Sequence, residues 1–513
     1  MIKIGADDFL LHHSLEEFLS LNEIDIEDPA FEGFDDWYGS WKNSRQTDIE
    51  NVAAASTIAR ISAHPRDDIG NGNRFVDQHG IDTKWSNEIG WRFFNGKFWD
   101  DNRTREIERR AESTARTILI EAYQTRDKDE SEKLTTWAHQ SASMSKINAM
   151  LESAKNKPGM SVSTSMFDSN PWLLNLKNGT SNLETGDLQP HNQKDFITKY
   201  IDIDYDPTAT CPLWIQFLER IIPSEATRQY VQRAVGYSLS GSTREHCFFI
   251  LYGTGANGKS TFLDVLREML AGYGGVMRAE SLMVQNNQGG GASPDIAALR
   301  GLRFVSSSET DEGKRLAEGL MKEMSGNRTI KARFLYKDEF EFQPTFKIWL
   351  AVNHLPRIRG TDEGIWRRLK RIPFNVSIPT NEQDKKLVDK LILELPGILT
   401  WALEGYKIWA KDGIGDCEEV TSATKEYRDQ SDSLKTFIEE CCVLGHDRFV
   451  EKADLYQKYQ EWAKNSGEYG VSKTVFGTRI MERGIEGRKS GKWFWDGIGL
   501  AGGEHEQEDW LSQ

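Results

Sequence analysis

Cysteine is scarce in this chain, and long apolar runs are missing altogether. The 513 residues include five cysteines, Cys211, Cys247, Cys417, Cys441 and Cys442. None stands in CxxC or Cys/His ligand spacing, which argues against a zinc site or a disulfide framework and fits a reducing cytoplasm. No apolar stretch nears the ~18–20 residues of a membrane helix, so no membrane partner is expected. The start, MIKIGADDFLLHHSLEE, is acidic and lacks the charged-then-apolar pattern of an export signal. No internal repeat or low-complexity linker stands out. An overall basic excess is missing too, the formal net charge being -15. Its distribution decides what that means. Residues 1–60 hold 13 Asp/Glu against 4 Lys/Arg, and the tail AGGEHEQEDWLSQ holds four acids and no Lys or Arg. The body between them is nearly neutral with local basic stretches, and phosphate contact depends on the local field. A nucleic-acid partner is therefore not excluded.

At 38% hydrophobic and 28% charged, the chain reads as soluble and globular, too long for one ordinary domain. Its most informative stretch is FILYGTGANGKSTFLDVL, residues 249–266. Gly253-x4-Gly258-Lys259-Ser260 matches the Walker A phosphate loop, and the alternative is a glycine turn that happens to precede a helix. Context favours the phosphate loop. His246–Tyr252 is an apolar, β-rich run suited to a buried parallel strand. After the loop, Phe262, Leu263, Val265, Leu266, Met269 and Leu270 share one helical face. In a strand–loop–helix of this kind, the backbone N–H groups of Gly253, Thr254, Gly255, Ala256, Asn257, Gly258, Lys259, Ser260 and Thr261 surround phosphates at a helix N-terminus. Lys259 reaches the β/γ phosphates and Ser260 ligates Mg²⁺. The expected ligands are ATP and Mg²⁺, although no residue is identifiable as reading the base.

Hydrolysis needs an acidic group near the metal and the attacking water. In LRGLRFVSSSETDEG, a strand over Leu302–Ser306 would put Glu309 just past its end, with Asp311 and Glu312 as alternatives and a solvated acidic loop as the bland reading. A second strand, TFKIWLAVN, ends at Asn353, a polar residue placed to hold the attacking water. GIWRRLKRIPF then offers Arg367 and Arg368, either surface charge or an arginine finger for a neighbouring subunit's γ-phosphate. Between these lies GNRTIKARFLYKDEFEF, whose alternation over Ala332–Phe342 suggests a β-hairpin. Lys331, Arg333, Tyr336 and Lys337 give it a basic, aromatic character suited to a DNA backbone. An exposed hairpin without a ligand is the competing reading.

Taken in order, GTGANGKST, RFVSSSE, MKEMSGNRTIKARFLYKDEFEFQP, IWLAVNHLP and GIWRRLKRIPF resemble the superfamily 3 helicases of the poxvirus, phage and plasmid primase-helicase family. NPWLLNLKNGTSNLETGDLQPH, YDPTATCPLWIQFLERI and VGYSLSG extend the likeness over roughly residues 65–500. The resemblance implies an AAA+-like ATPase in a hexameric ring, translocating on single-stranded DNA and unwinding forked duplex, generally 3′ to 5′. It implies that Lys259 and Ser260 bind nucleotide and Mg²⁺ and that Glu309 is the hydrolytic acid. Asn353 would be the sensor, and Arg368 or Arg367 the finger. Lys331, Arg333 and Lys337 would lie in the pore-hairpin region. A separate primase, polymerase or initiator is an expected partner. Two departures stand out: Ser308 precedes Glu309 where many such ATPases have Asp-Glu, and Ser325-Gly326-Asn327-Arg328 stands where the family often has Gly-Gly-Asp.

The expected fold is α/β: a P-loop AAA+-like ATPase core with a mixed α+β N-terminal region and a C-terminal winged-helix domain. The expected boundaries are an acidic arm at 1–65, a pre-helicase domain at 66–205, a helical collar at 206–244 and the ATPase domain at 245–380. A helical lid at 381–429, a winged-helix domain at 430–500 and an acidic tail at 501–513 complete it. The winged-helix expectation rests on three helices followed by the hairpin IEGRKSGKWFWDGIGL, with six Lys/Arg in 473–492 against Glu482 and Glu486. Asp-x-Asp pairs that a primase would need occur as Asp202/Asp204 and as Asp25/Glu27, neither in a persuasive setting. The functional expectation is an ATP-dependent replicative helicase of a virus, phage or mobile element. Its rivals are a protein-remodelling ATPase, an origin-binding module using ATP as a switch, and a bifunctional primase-helicase.

Overall fold

The computed structural model describes residues 64–284, 294–308, 313–326, 329–333, 339–358, 363–466 and 470–501. All but the last two residues of the acidic arm, with Asp25/Glu27, and also Glu309, Asp311, Glu312, Tyr336 and Lys337 lie outside the described residues, as does all but the first residue of the acidic tail. Two compact units divide the chain near Asp202 and Ile203. Among the described residues no helix is long and apolar enough to cross a membrane.

The first unit is built on α1 (Asp68–His79), α2 (Glu106–Gln124), α3 (Lys128–Ser141) and α4 (Met144–Lys155). Phe75, Ile107, Ala111, Ala115, Ile147 and Met150 form its core, with alanines on α2 letting the helices approach. Inside it Arg74 grips Glu121 through two hydrogen bonds of 2.7 Å, both side chains buried. A hairpin turning at Asn95-Gly96 joins β2 (Gly90–Phe94) to β3 (Trp99–Asp101). A strand that alternation did not mark, β1 (Thr83–Ser86), completes an antiparallel three-stranded sheet. A second small sheet holds β4 (Leu173–Leu176), β5 (Gly179–Asn182) and β6 (Leu188–Gln189). The polar residues of NPWLLNLKNGT…PH have a structural use there. Buried Asn175 accepts from Thr180 and contacts His191, while its amide donates to the Lys97 and Lys199 carbonyls.

The second unit begins with α5 (Pro212–Ile221) and α6 (Glu225–Leu239). Its centre is a five-stranded sheet of β7 (Phe248–Tyr252), β8 (Gly274–Val276), β9 (Phe304–Ser308), β12 (Lys347–Val352) and β13 (Leu369–Pro373). The spatial order is β13-β7-β12-β9-β8, and every pairing is parallel. Every residue of β12 is buried, as a strand covered on both faces must be. Trp349 at its centre stacks on Phe249 at 4.2 Å and donates its indole N–H to Ser238 Oγ at 3.1 Å. α7 (Lys259–Leu270) lays Phe262, Leu263, Val265, Leu266, Met269 and Leu270 into this core, the face its period marked out. β9 runs two residues later than the expected Leu302–Ser306, because Leu302 closes a turn onto Leu299 and the ladder starts only at Phe304. β10 (Ile330–Arg333) and β11 (Glu339–Phe342) pair as a separate ribbon. α8 (Leu395–Asp412) and α9 (Glu418–Ser431) follow.

The last part of the unit has α10 (Ser433–Cys441), α11 (Lys452–Asn465) and α12 (Lys473–Glu482) around Phe437, Leu455, Tyr459, Phe476, Ile480 and Trp495. The hairpin of β15 (Glu486–Ser490) and β16 (Lys492–Leu500) is joined by β14 (Cys442–Glu451), giving a sheet ordered β14-β16-β15. β14 had no sequence signal: its ladder is irregular between Leu444 and Phe449, so no period of two survives.

Candidate functional site

The loop that leaves β7 emerges between the C-terminal ends of β12 and β13, where open parallel sheets gather ligands. Its shape depends on glycine at two positions. A Cβ on Gly253 would stand 2.1 Å from the Phe374 carbonyl oxygen. Gly258 begins the helix at φ 80°, and a Cβ there would meet Ile221 at 2.7 Å. Ala256 adopts φ 47°, an unusual cost for a residue with a side chain. A segment that sequence reasoning did not mark pins the loop: Asn257 Nδ2 donates to Phe374 O at 3.2 Å, and Ile378 N donates to Ala256 O at 2.7 Å. Those contacts are mostly backbone and leave no trace in residue type.

Lys259 sits in the first turn of α7 and is 5% exposed. Its ammonium donates to Gly253 O at 2.5 Å, Asn257 Oδ1 at 3.0 Å and Asn353 Oδ1 at 3.1 Å. Three neutral oxygens surround it, and burial lowers its pKa to about 8. Asn353 is itself exposed and follows Val352, which is level with Tyr252 in the ladder, so Lys259 and Asn353 meet across adjacent strand ends. Ser260 and Thr254 are exposed beside them. β9 ends at exposed Ser308 on the same edge, and the chain continues from there to Glu309. A buried lysine with no carboxylate partner among the described residues, at a helix N-terminus and flanked by open backbone, fits a polyphosphate ligand.

Arg367 and Arg368 occupy the other end of the sheet. Leu369 is level with Phe248 and Pro373 with Tyr252, so the arginines precede the start of β13 while the loop follows the end of β7. Five residues of strand separate the two levels, about 17 Å at ~3.3 Å per residue. Arg367 is exposed; Arg368 donates to the Gly364 carbonyl at 2.7 Å. The structure therefore brings Lys259 and Asn353 together and keeps both arginines apart from them. Lys331 and Arg333 lie exposed on the β10 ribbon, where Ile330 and Ala332 point inward. Lys331 pairs with Glu341 of β11 at 3.5 Å, so its charge is partly balanced. Asp202 and Asp204 lie on irregular chain, and among the described residues no group of three or more His, Cys, Asp or Glu is gathered as a metal would need.

Comparison with known proteins matches three segments. The family described as D5 N terminal like matches residues 72–223, the family of unknown function DUF5906 matches 251–368, and the poxvirus D5 protein-like family matches 429–487. A protein of Acanthamoeba polyphaga mimivirus named "Putative helicase L207/L206" is 32% identical over 324 residues, covering 58% of this chain and 34% of that protein. "Putative helicase 022R" of Frog virus 3 (isolate Goorha) is 25% identical over 311 residues, covering 57% and 30%. The chain thus spans about a third of the length of these two relatives. Among solved structures, the apo NrS-1 C-terminal region (305–718) overlaps 58% of this chain and 78% of that one, at 13% identity and a TM-score of 0.40. The chain has a D5 N-terminal-like segment ahead of the parallel sheet and a poxvirus D5-like segment behind it, and is similar to viral proteins named putative helicases.

Proposed function

We propose that this chain is an ATP-dependent DNA helicase that replicates a viral or mobile genome, working as a hexameric ring on single-stranded DNA. One observation carries the reading: the Lys259 ammonium, buried among neutral oxygens and touching Asn353 at the ligand edge of a parallel sheet. In this reading residues 253–261 are a phosphate-binding loop. Lys259 and the loop N–H groups hold the β and γ phosphates, which restores full charge to the lysine. Bound Mg²⁺, held by Ser260 with Glu309, would neutralise charge on the phosphate oxygens.

Asn353 orients the attacking water by hydrogen bonding, and Glu309 accepts its proton as the water oxygen bonds to the γ-phosphorus and the bond to the leaving ADP oxygen breaks. Arg367 or Arg368 stabilises that charge in a neighbouring subunit. The ~17 Å between strand ends supports action in trans, since the arginines stand far from their own loop. Nucleotide turnover would shift the ribbon carrying Lys331 and Arg333 along one strand, with Tyr336 and Lys337, which follow in sequence, as further proposed DNA contacts. The C-terminal three-helix, three-stranded domain is a winged helix in this reading, contacting DNA or a replication partner. The test is ATP hydrolysis by the purified chain with and without single-stranded DNA, followed by strand displacement on a fork. Several-fold DNA stimulation that disappears in Lys259→Ala supports the motor. Turnover indifferent to DNA points instead to a protein-remodelling ATPase.

A further inference from the structure

The β15–β16 ribbon has two unlike faces. Every residue of β15 is exposed to solvent. Directly opposed residues share a face, and the register sorts the side chains. One face carries Glu486, Arg488, Lys492, Phe494 and Asp496. There Arg488 pairs with Asp496 at 2.9 Å and Lys492 with Glu451 at 2.7 Å, so its cations are neutralised within the domain.

The other face carries Gly487, Lys489, Trp493 and Trp495, and no carboxylate. Lys452, from the start of α11, lies across it. Its Nζ is 3.6 Å from the Trp495 ring centroid and 4.8 Å from that of Trp493. Gly487 makes room: a Cβ there would stand 2.3 Å from that Nζ. Trp495 is buried, but Trp493 is 52% exposed, as an indole is when a lysine covers one side and the other is open. Among the described residues neither Lys452 nor Lys489 has a carboxylate partner within ion-pair distance.

We propose that this face binds single-stranded nucleic acid, one unpaired base stacking on Trp493 and the flanking phosphates meeting Lys452 and Lys489. An open indole offers any base a π-surface, and the two unpaired ammonium groups beside it favour a polyanion over an apolar protein partner. Inside a duplex both faces of a base are taken by its neighbours, so the site selects unpaired strand. The cation already seated on the inner side of the indole helps hold the ring in place and leaves its outer side to a base. The site's use at a replication fork rests on the helicase reading; binding itself does not.

The test is fluorescence anisotropy of a labelled oligo-dT strand and of a blunt duplex of equal length, with the full chain and no nucleotide. Trp493→Ala should weaken strand binding about tenfold, within the range of one lost base stack. Trp493→Phe should recover most of it, Lys489→Ala should flatten the salt dependence, and Glu486→Gln on the opposite face should not weaken binding. Blunt-duplex affinity should be unchanged in Trp493→Ala. A strand carrying 5-iodouracil should photocrosslink to the peptide containing Trp493. Equal losses on strand and duplex, a phenylalanine variant as weak as alanine, or crosslinks confined to other peptides would overturn the proposal. ATP turnover measured on the same samples separates its failure from that of the motor. Wild-type turnover without DNA stimulation counts against the helicase alone, and a strand loss in Trp493→Ala would still uphold the site.

Discussion

If the loop binds nucleotide as proposed, the lowered pKa of Lys259 makes that binding a proton-uptake reaction. In the empty site the group titrates near pH 8 because burial disfavours its charge. Bound phosphates reverse that preference and hold it protonated well above pH 9. Binding should therefore take up about 0.1 proton at pH 7, about 0.5 at pH 8 and about 0.9 at pH 9. ATP supplies none of this at pH 9, since its terminal phosphate, with a pKa near ~6, is already fully ionised there. Calorimetric titration at pH 9 in two buffers of different ionisation enthalpy reads the uptake directly. The apparent Kd should also rise about tenfold for each pH unit above 8 once the lysine is mostly neutral. The stability sign is opposite. Between about pH 8 and the unfolded lysine's ~10.4 the unfolded chain binds the extra proton, so this group makes folding more favourable as pH rises. Buffer-independent heats at pH 9 would refute the reasoning, because they would mean that Lys259 is charged in the empty loop or does not meet the phosphate.

Further outcomes follow from other parts of the fold. Mixing Arg367→Ala/Arg368→Ala protein with Lys259→Ala protein, each inactive alone, should restore part of the ATP turnover if, as proposed, an arginine from one chain completes the loop of another; no recovery at any ratio counts against action in trans. Trp349→Ala removes a fully buried indole stacked on Phe249 and should cost about 3–5 kcal/mol, read as a lower urea midpoint for loss of the second unit. Glu121→Ala strands the buried Arg74 guanidinium and should cost about 3–5 kcal/mol in the first unit, visible by hydrogen exchange in α1 and α2.

Where local chemistry specifies structure, the sequence was legible. The β7–loop–α7 unit could be read because a buried strand, a glycine loop and a helical apolar face are each periodic or punctuated signals. The Asn95-Gly96 turn is a local signal of the same kind for the hairpin of β2 and β3. What stayed hidden depends on distant chain. β8 is the glycine-rich edge strand Gly274–Val276, which joins the sheet only because β9 offers a ladder. β14 carries Gly445, His446 and Asp447 in mid-strand and pairs only because β16 lies beside it. The polar Ser306 and Ser307 are buried in β9, a placement that hydrophobic patterning does not mark. Lys259 and Asn353 were both named as site residues, yet their direct contact depends on β7 and β12 being neighbours, a fact of sheet order.

The separation of Lys259 from Arg367 and Arg368 along one strand gives the molecule a front and a back. In the proposed trans mechanism, two copies with strands antiparallel about a two-fold axis would set each loop beside the other's arginines and complete two sites at once, ending assembly at a dimer. A head-to-tail pair completes one and leaves the other open. Such contacts repeat until they close on themselves or run on as a filament. Turnover per chain should therefore climb steeply with protein concentration, and in the proposed motor the small rotation between successive copies, set far from any reacting atom, would decide whether a DNA strand finds a closed hole or an open groove.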